Sequence, residues 1–70
     1  MQLSERLKFL RQEKNITQVQ VALNCNMAER AYQRIEAGNK PSYDSLIALA
    51  DYFNVSLDYL VGRSDDPERH

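Results

Sequence analysis

Apolar residues recur along this chain every three or four positions, in runs broken by Asn, Gly or Pro. That period is helical, and nowhere do the apolar positions alternate as a strand requires. Leu3, Leu7 and Leu10 form the first stripe and predict a helix from about Leu3 to Glu13. Lys14-Asn15 breaks it, and Ile16 turns back toward the core. Thr17 reads as an N-cap, and Gln20 at the third helical position completes a capping box. Val21, Ala22 and Cys25 make the inner side of that second helix. After a third helix, the run Ala37-Gly38-Asn39-Lys40-Pro41 is a loop, and Ser42 caps a fourth helix with Asp44 at its positive end. Leu46, Ile47, Leu49, Ala50 and Phe53 give that helix its apolar side, and Asn54 closes it. Ser56 caps a last short helix, Leu57 to Val61, stopped by Gly62. The expectation is an all-α, compact five-helix bundle over residues 1–62, followed by a polar, frayed tail over 63–70.

The third helix has two unlike sides. Stepping about 100° per residue places Glu29, Gln33, Arg30 and Arg34 on one arc of roughly 140°. Ala31, Ile35, Ala28 and Tyr32 fall on the opposite arc, which can be buried. A helix anchored on one side and carrying Arg, Gln and Glu on the other can enter a DNA major groove. Arg grips guanine, Gln adenine, and Glu accepts from cytosine. Periodicity alone equally describes the solvated face of an ordinary helix.

The wording of residues 17–36 resembles the helix-turn-helix of the Cro/C1-type family of bacterial and phage regulators. The likeness rests on Thr17-Gln18, Ala22, Asn26, Ile35-Glu36 and Gly38, and continues through Pro41-Ser42 and the ending Asn54 to Gly62. It covers roughly Leu3 to Gly62 and implies a lambda-repressor-like DNA-binding domain with 28–36 as recognition helix. It also implies DNA contacts at Thr17, Gln18, Glu29, Arg30, Gln33 and Arg34, and along the following loop at Asn39, Lys40 and Ser42. In the family an Arg of the first helix pairs with the Glu that ends the recognition helix; the matching residues here are Arg11 and Glu36. Two places depart from the pattern. Asn26 stands where Gly is commonest, and Asn tolerates the left-handed conformation. Ala28 stands where Ser often caps, and Ala caps poorly, at a cost of about 1 kcal/mol. An alternative makes Asn26 itself the cap, answered by Glu29, and lengthens the helix by two residues.

Composition narrows the function further. Seventy residues make one small domain. A single cysteine rules out an internal disulfide, and Cys25 at an apolar helical position is expected as a buried reduced thiol. No apolar run approaches the ~18 residues of a membrane span and no secretory signal opens the chain, which points to the cytoplasm. The net charge of −1 conceals an asymmetry: residues 1–40 hold seven Lys/Arg against four Asp/Glu, residues 41–70 two against six. A basic working face and an acidic back would follow. Catalysis, a metal site and a cofactor are not expected. The only histidine is the last residue, Cys25 has no histidine near it in sequence, and Gly38 and Gly62 cannot make a phosphate loop.

One recognition helix reads too few base pairs to mark a genomic site, so two copies on a (pseudo)palindromic operator are expected. In the last helix Leu57 and Leu60 are assigned to the core, which leaves Tyr59 and Val61 for a weak homodimer interface. Val19 and Leu23, on the outer side of the second helix, either pack against the first helix or meet a second protein. The expected function is sequence-specific binding of duplex DNA as a small transcriptional regulator. The rival is a protein-interaction module that keeps the helix-turn-helix fold without DNA binding, which the acidic half, Glu29 and the Val19/Leu23 pair would favour.

Overall fold

In the computed structural model, which describes residues 1–69, the chain forms α1 (Leu3–Glu13), α2 (Gln18–Asn24), α3 (Glu29–Glu36), α4 (Tyr43–Phe53) and α5 (Leu57–Leu60). No strand occurs among the described residues. Helix α3 packs on both α2 and α1, while α5 packs on α4 and α1. Leu7, Val21, Tyr32, Leu49 and Leu60 are the largest fully buried side chains, so every helix contributes to one core. Cys25 is buried in it, its Sγ 3.8 Å from the Ala48 carbonyl oxygen, and burial pushes its thiol upward.

All five helices end in the same way. The left-handed residues among those described are Asn15, Asn26, Gly38, Asn54 and Gly62, one just past each helix. At each, its own N–H and the next residue's N–H return to the last turn. Examples are Asn15 to Gln12 and Ile16 to Arg11, and Gly38 to Ile35 and Asn39 to Arg34. This is the Schellman closure, which satisfies otherwise orphaned carbonyls. After three of the helices it also turns an apolar residue inward: Ile16, Met27 and Val55 all meet the core. Starts are capped as the sequence indicates for α2, α4 and α5: the hydroxyls of Thr17, Ser42 and Ser56 accept from Gln20, Ser45 and Tyr59 N–H. Helix α3 starts at Glu29 behind Ala28, which makes no side-chain cap, and Asn26 is the end of α2 rather than the start of α3.

Two expectations about burial need correction, and the tail makes contacts of its own over residues 63–69. Pro67 and Asp66 carbonyls accept from Ser56, Arg69 donates to the Ala50 carbonyl at 3.3 Å and pairs with Asp51, and Asp65 lies 3.9 Å from Arg6. His70 lies outside the described residues. Tyr59 is not left at the surface, because the Arg6 guanidinium stacks 3.8 Å over its ring and both side chains are buried. A cation held on an aromatic face lets a charged residue help close the core; Leu57, expected in the core, is half-buried. Val61 is half-buried. Finally, Val19 and Leu23 do not pack under α1. They are 42% and 74% exposed.

Candidate nucleic-acid interface

What presents α3 is a polar junction at its C-terminal end. The Glu36 side chain is only 2% exposed and accepts from Arg11 Nε at 2.8 Å, Arg11 Nη2 at 3.2 Å and Gln18 Nε2 at 3.1 Å. Arg11 also donates to the Ile16 carbonyl at 3.3 Å. One carboxylate thus ties α1, the α1–α2 turn and the start of α2 to α3. Burial alone would raise the Glu36 carboxyl; the Arg11 hydrogen bonds, then the Tyr32 hydroxyl and Gln18, outweigh it and hold the group below its ordinary value. Glu36 in return raises Arg11. The Tyr32 phenol is pushed far upward, by burial first and the adjacent carboxylate second, and its hydroxyl has no hydrogen bond of good geometry.

Tyr32 and Ile35 fix the inner side of α3 in the core. Ala28 and Ala31, expected on the buried arc, are exposed. Their methyls are too short to reach the core once Tyr32 and Ile35 set the helix at its distance, so the outward surface of α3 is wider than the wheel suggests. Glu29, Arg30, Gln33 and Arg34 all lie on it, exposed. Gln33 Nε2 donates to Glu29 Oε2 at 3.0 Å, one turn away. Beside them the loop closes a shallow groove lined by Ala31, Arg34, Asn39, Lys40, Pro41 and Ser42. A larger depression, of about 440 Å³, lies elsewhere, between α4, α5 and the tail. Its rim carries Asp51, Asp58 and Asp66 with Arg69 paired to Asp51, an acidic surplus unsuited to a phosphate backbone.

Helices α2 and α3, joined by the turn at Asn26, form a helix-turn-helix. The helix-turn-helix model matches residues 7–60. The chain belongs to the Cro/C1-type helix-turn-helix family. The domain is 38% identical over 65 residues to an uncharacterized helix-turn-helix-type transcriptional regulator, YobD, of Bacillus subtilis (strain 168), covering 91% of this chain and 58% of that protein. It is 35% identical over 66 residues to the helix-turn-helix-type transcriptional regulator ImmR of the same organism, covering 93% and 52%. It is 34% identical over 64 residues to the cryptic phage CTXphi transcriptional repressor RstR of Vibrio cholerae serotype O1 (strain ATCC 39315 / El Tor Inaba N16961), covering 90% and 57%. The chain therefore spans a little over half the length of these curated relatives. No solved structure matches it significantly.

Within this helix-turn-helix domain the residues singled out from the sequence divide by what already occupies them. Arg30, Arg34 and Lys40 are exposed cations. Thr17 and Ser42 spend their hydroxyls as caps, although both lie at the surface. Asn39 sends both its backbone N–H and its side-chain amide to the Arg34 carbonyl, at 2.9 and 3.1 Å, and so finishes α3. Gln18 turns one N–H inward to Glu36 and keeps a second donor. Arg6 gave no signal in the sequence, since an arginine four residues into a helix ordinarily faces water. The Glu29–Gln33 spacing was legible, but that the two bond to one another was not. No helix among the described residues is long and apolar enough to cross a membrane.

Proposed function

We propose that this domain binds duplex DNA sequence-specifically as a transcriptional regulator, with α3 in the major groove. The observation that carries the proposal is the outward side of α3. Four long polar side chains, Glu29, Arg30, Gln33 and Arg34, stand exposed on a helix whose opposite side is fixed by Tyr32, Ile35 and the buried Glu36–Arg11 pair. Direct readout needs such a rigid mount, because bidentate contacts to base edges tolerate little error in position. Lys40 at the edge of the α3–α4 groove, and the second amide N–H of Gln18 at the start of α2, suit flanking phosphates. The relatives, described as transcriptional regulators and a repressor, support the same class.

The working unit is a pair of copies on a (pseudo)palindromic operator, because one reading helix supplies too little discrimination. Tyr59, closed under Arg6, offers little surface for joining them. Such a regulator acts in the cytoplasm. Exposed Val19 and Leu23 on α2 support a contact with a second protein while DNA is bound. Selection of bound sequences from a random duplex pool tests the proposal. Enrichment of one motif, with affinity falling steeply as salt rises, is expected; no enrichment would refute it.

A further inference from the structure

We propose that Glu29 is a positioning residue for Gln33: its carboxylate fixes which way the Gln33 amide faces and makes Gln33 a reader of adenine. The proposal rests on the DNA-binding role argued above and assigns Glu29 a task other than touching a base. The two side chains stand one turn apart on the exposed side of α3, with Gln33 Nε2 donating to Glu29 Oε2 at 3.0 Å. An ionised carboxylate only accepts hydrogen bonds. It attracts the NH₂ end of the amide and repels the carbonyl end, so charge selects one of two orientations that are nearly equal in shape.

That choice commits one of the two N–H groups of Gln33. The remainder is one donor and one acceptor side by side, the second N–H and the carbonyl oxygen. Adenine displays the complement in the major groove, an N7 acceptor beside an N6 amino donor. Guanine displays two acceptors, O6 and N7, which an unrestrained glutamine can approach with both N–H groups. With one already held by Glu29, it cannot. The selectivity is subtractive: Glu29 adds no contact to the DNA and removes an option from Gln33. Arg30 and Arg34 carry donors only, so neither duplicates this pattern. Holding the amide in advance also reduces the side-chain freedom lost when DNA is bound.

The test is selection from the random duplex pool with the wild-type chain and with Glu29→Gln, Glu29→Ala, Gln33→Ala and Glu29→Gln/Gln33→Ala. The base pair whose preference disappears in Gln33→Ala is the one Gln33 reads. Gln at position 29 retains the reach but both donates and accepts, so the amide at 33 is free to turn; Ala removes the partner. Both Glu29 variants should lose adenine preference at that pair by about fivefold or more, the scale of one bidentate contact, with other positions unchanged. In the Gln33→Ala background Glu29→Gln should change nothing at that pair. A purely structural role for Glu29 would weaken all sequences alike and move no preference, which would overturn the proposal. So would a preference lost at a different base pair, because Glu29 would then read that base itself. Wild-type chain that enriches no sequence refutes DNA binding; enrichment with an unmoved Gln33 position refutes the positioning role alone.

Discussion

Arg11→Met removes the cation from the junction of α1, α2 and α3 while keeping most of its volume. Glu36, with its side chain 2% exposed, would then lose both Arg11 hydrogen bonds and keep the Gln18 amide. A buried carboxylate left charged in that state costs about 3–5 kcal/mol. It can escape by taking up a proton. From an ordinary glutamate value near 4.3, protonation at pH 7 costs about 3.7 kcal/mol, at about 1.36 kcal/mol per pH unit. Neutralisation therefore caps the loss near that figure. The Arg11 side chain is 19% exposed, so water replaces part of what it gave, and the expected loss is about 2–4 kcal/mol. A domain of this size holds only about 3–5 kcal/mol in all, which brings the variant close to its unfolding midpoint at 25 °C. At pH 5 the same escape costs only about 1 kcal/mol, so the difference from wild type must shrink by about half or more. Urea unfolding followed by far-UV circular dichroism at both pH values measures it. Arg11→Met/Glu36→Leu, which removes both charges, should recover most of the loss. A difference under about 1 kcal/mol at pH 7, typical of an exposed pair, would refute the argument. A difference that is the same at both pH values would refute it equally.

Glu36 also sets an acid limit: its folded carboxyl lies below the ordinary value, so its stabilisation is complete above about pH 4.3 and lost as pH falls through the folded value. The melting temperature of wild type should drop more between about pH 5 and pH 3 than that of Glu36→Gln, and parallel curves would contradict this. Gly38→Ala and Gly62→Ala should differ. The first meets open space and costs about 1 kcal/mol for its left-handed backbone, whereas a Cβ at Gly62 collides with the Met1 carbonyl, so thermal melts should show a clearly larger loss there. Lys40→Ala should weaken binding to all duplex sequences alike and flatten its salt dependence, measured by fluorescence anisotropy. Arg30→Ala should instead relax preference at one base pair by about 1–3 kcal/mol; a sequence-blind loss from Arg30→Ala would show that Arg30 touches only phosphate.

Helix order, the caps at Thr17, Ser42 and Ser56, and the left-handed stops at Asn26, Asn54 and Gly62 are local events, each decided within one or two turns of chain, and they were legible in the sequence. So was the two-sidedness of α3, since Tyr32 and Ile35 against Arg30 and Gln33 is a periodicity. The placement of Arg11 beside Glu36 came from a family likeness, because nothing local relates residues twenty-five positions apart. What only the tertiary structure decided is where long side chains go when several elements compete for one place. Arg6 over Tyr59, and the tail drawn in by Arg69, Asp65 and Pro67, depend on α1, α4 and α5 meeting at one point. An arginine can bury its stem and stack its charge only if an aromatic face arrives from elsewhere in the chain, and no spacing within α1 announces that. The exposure of Ala28 and Ala31 has the same origin. A helical wheel fixes a residue's direction, whereas burial also depends on how near the next helix comes, and Tyr32 and Ile35 set that distance.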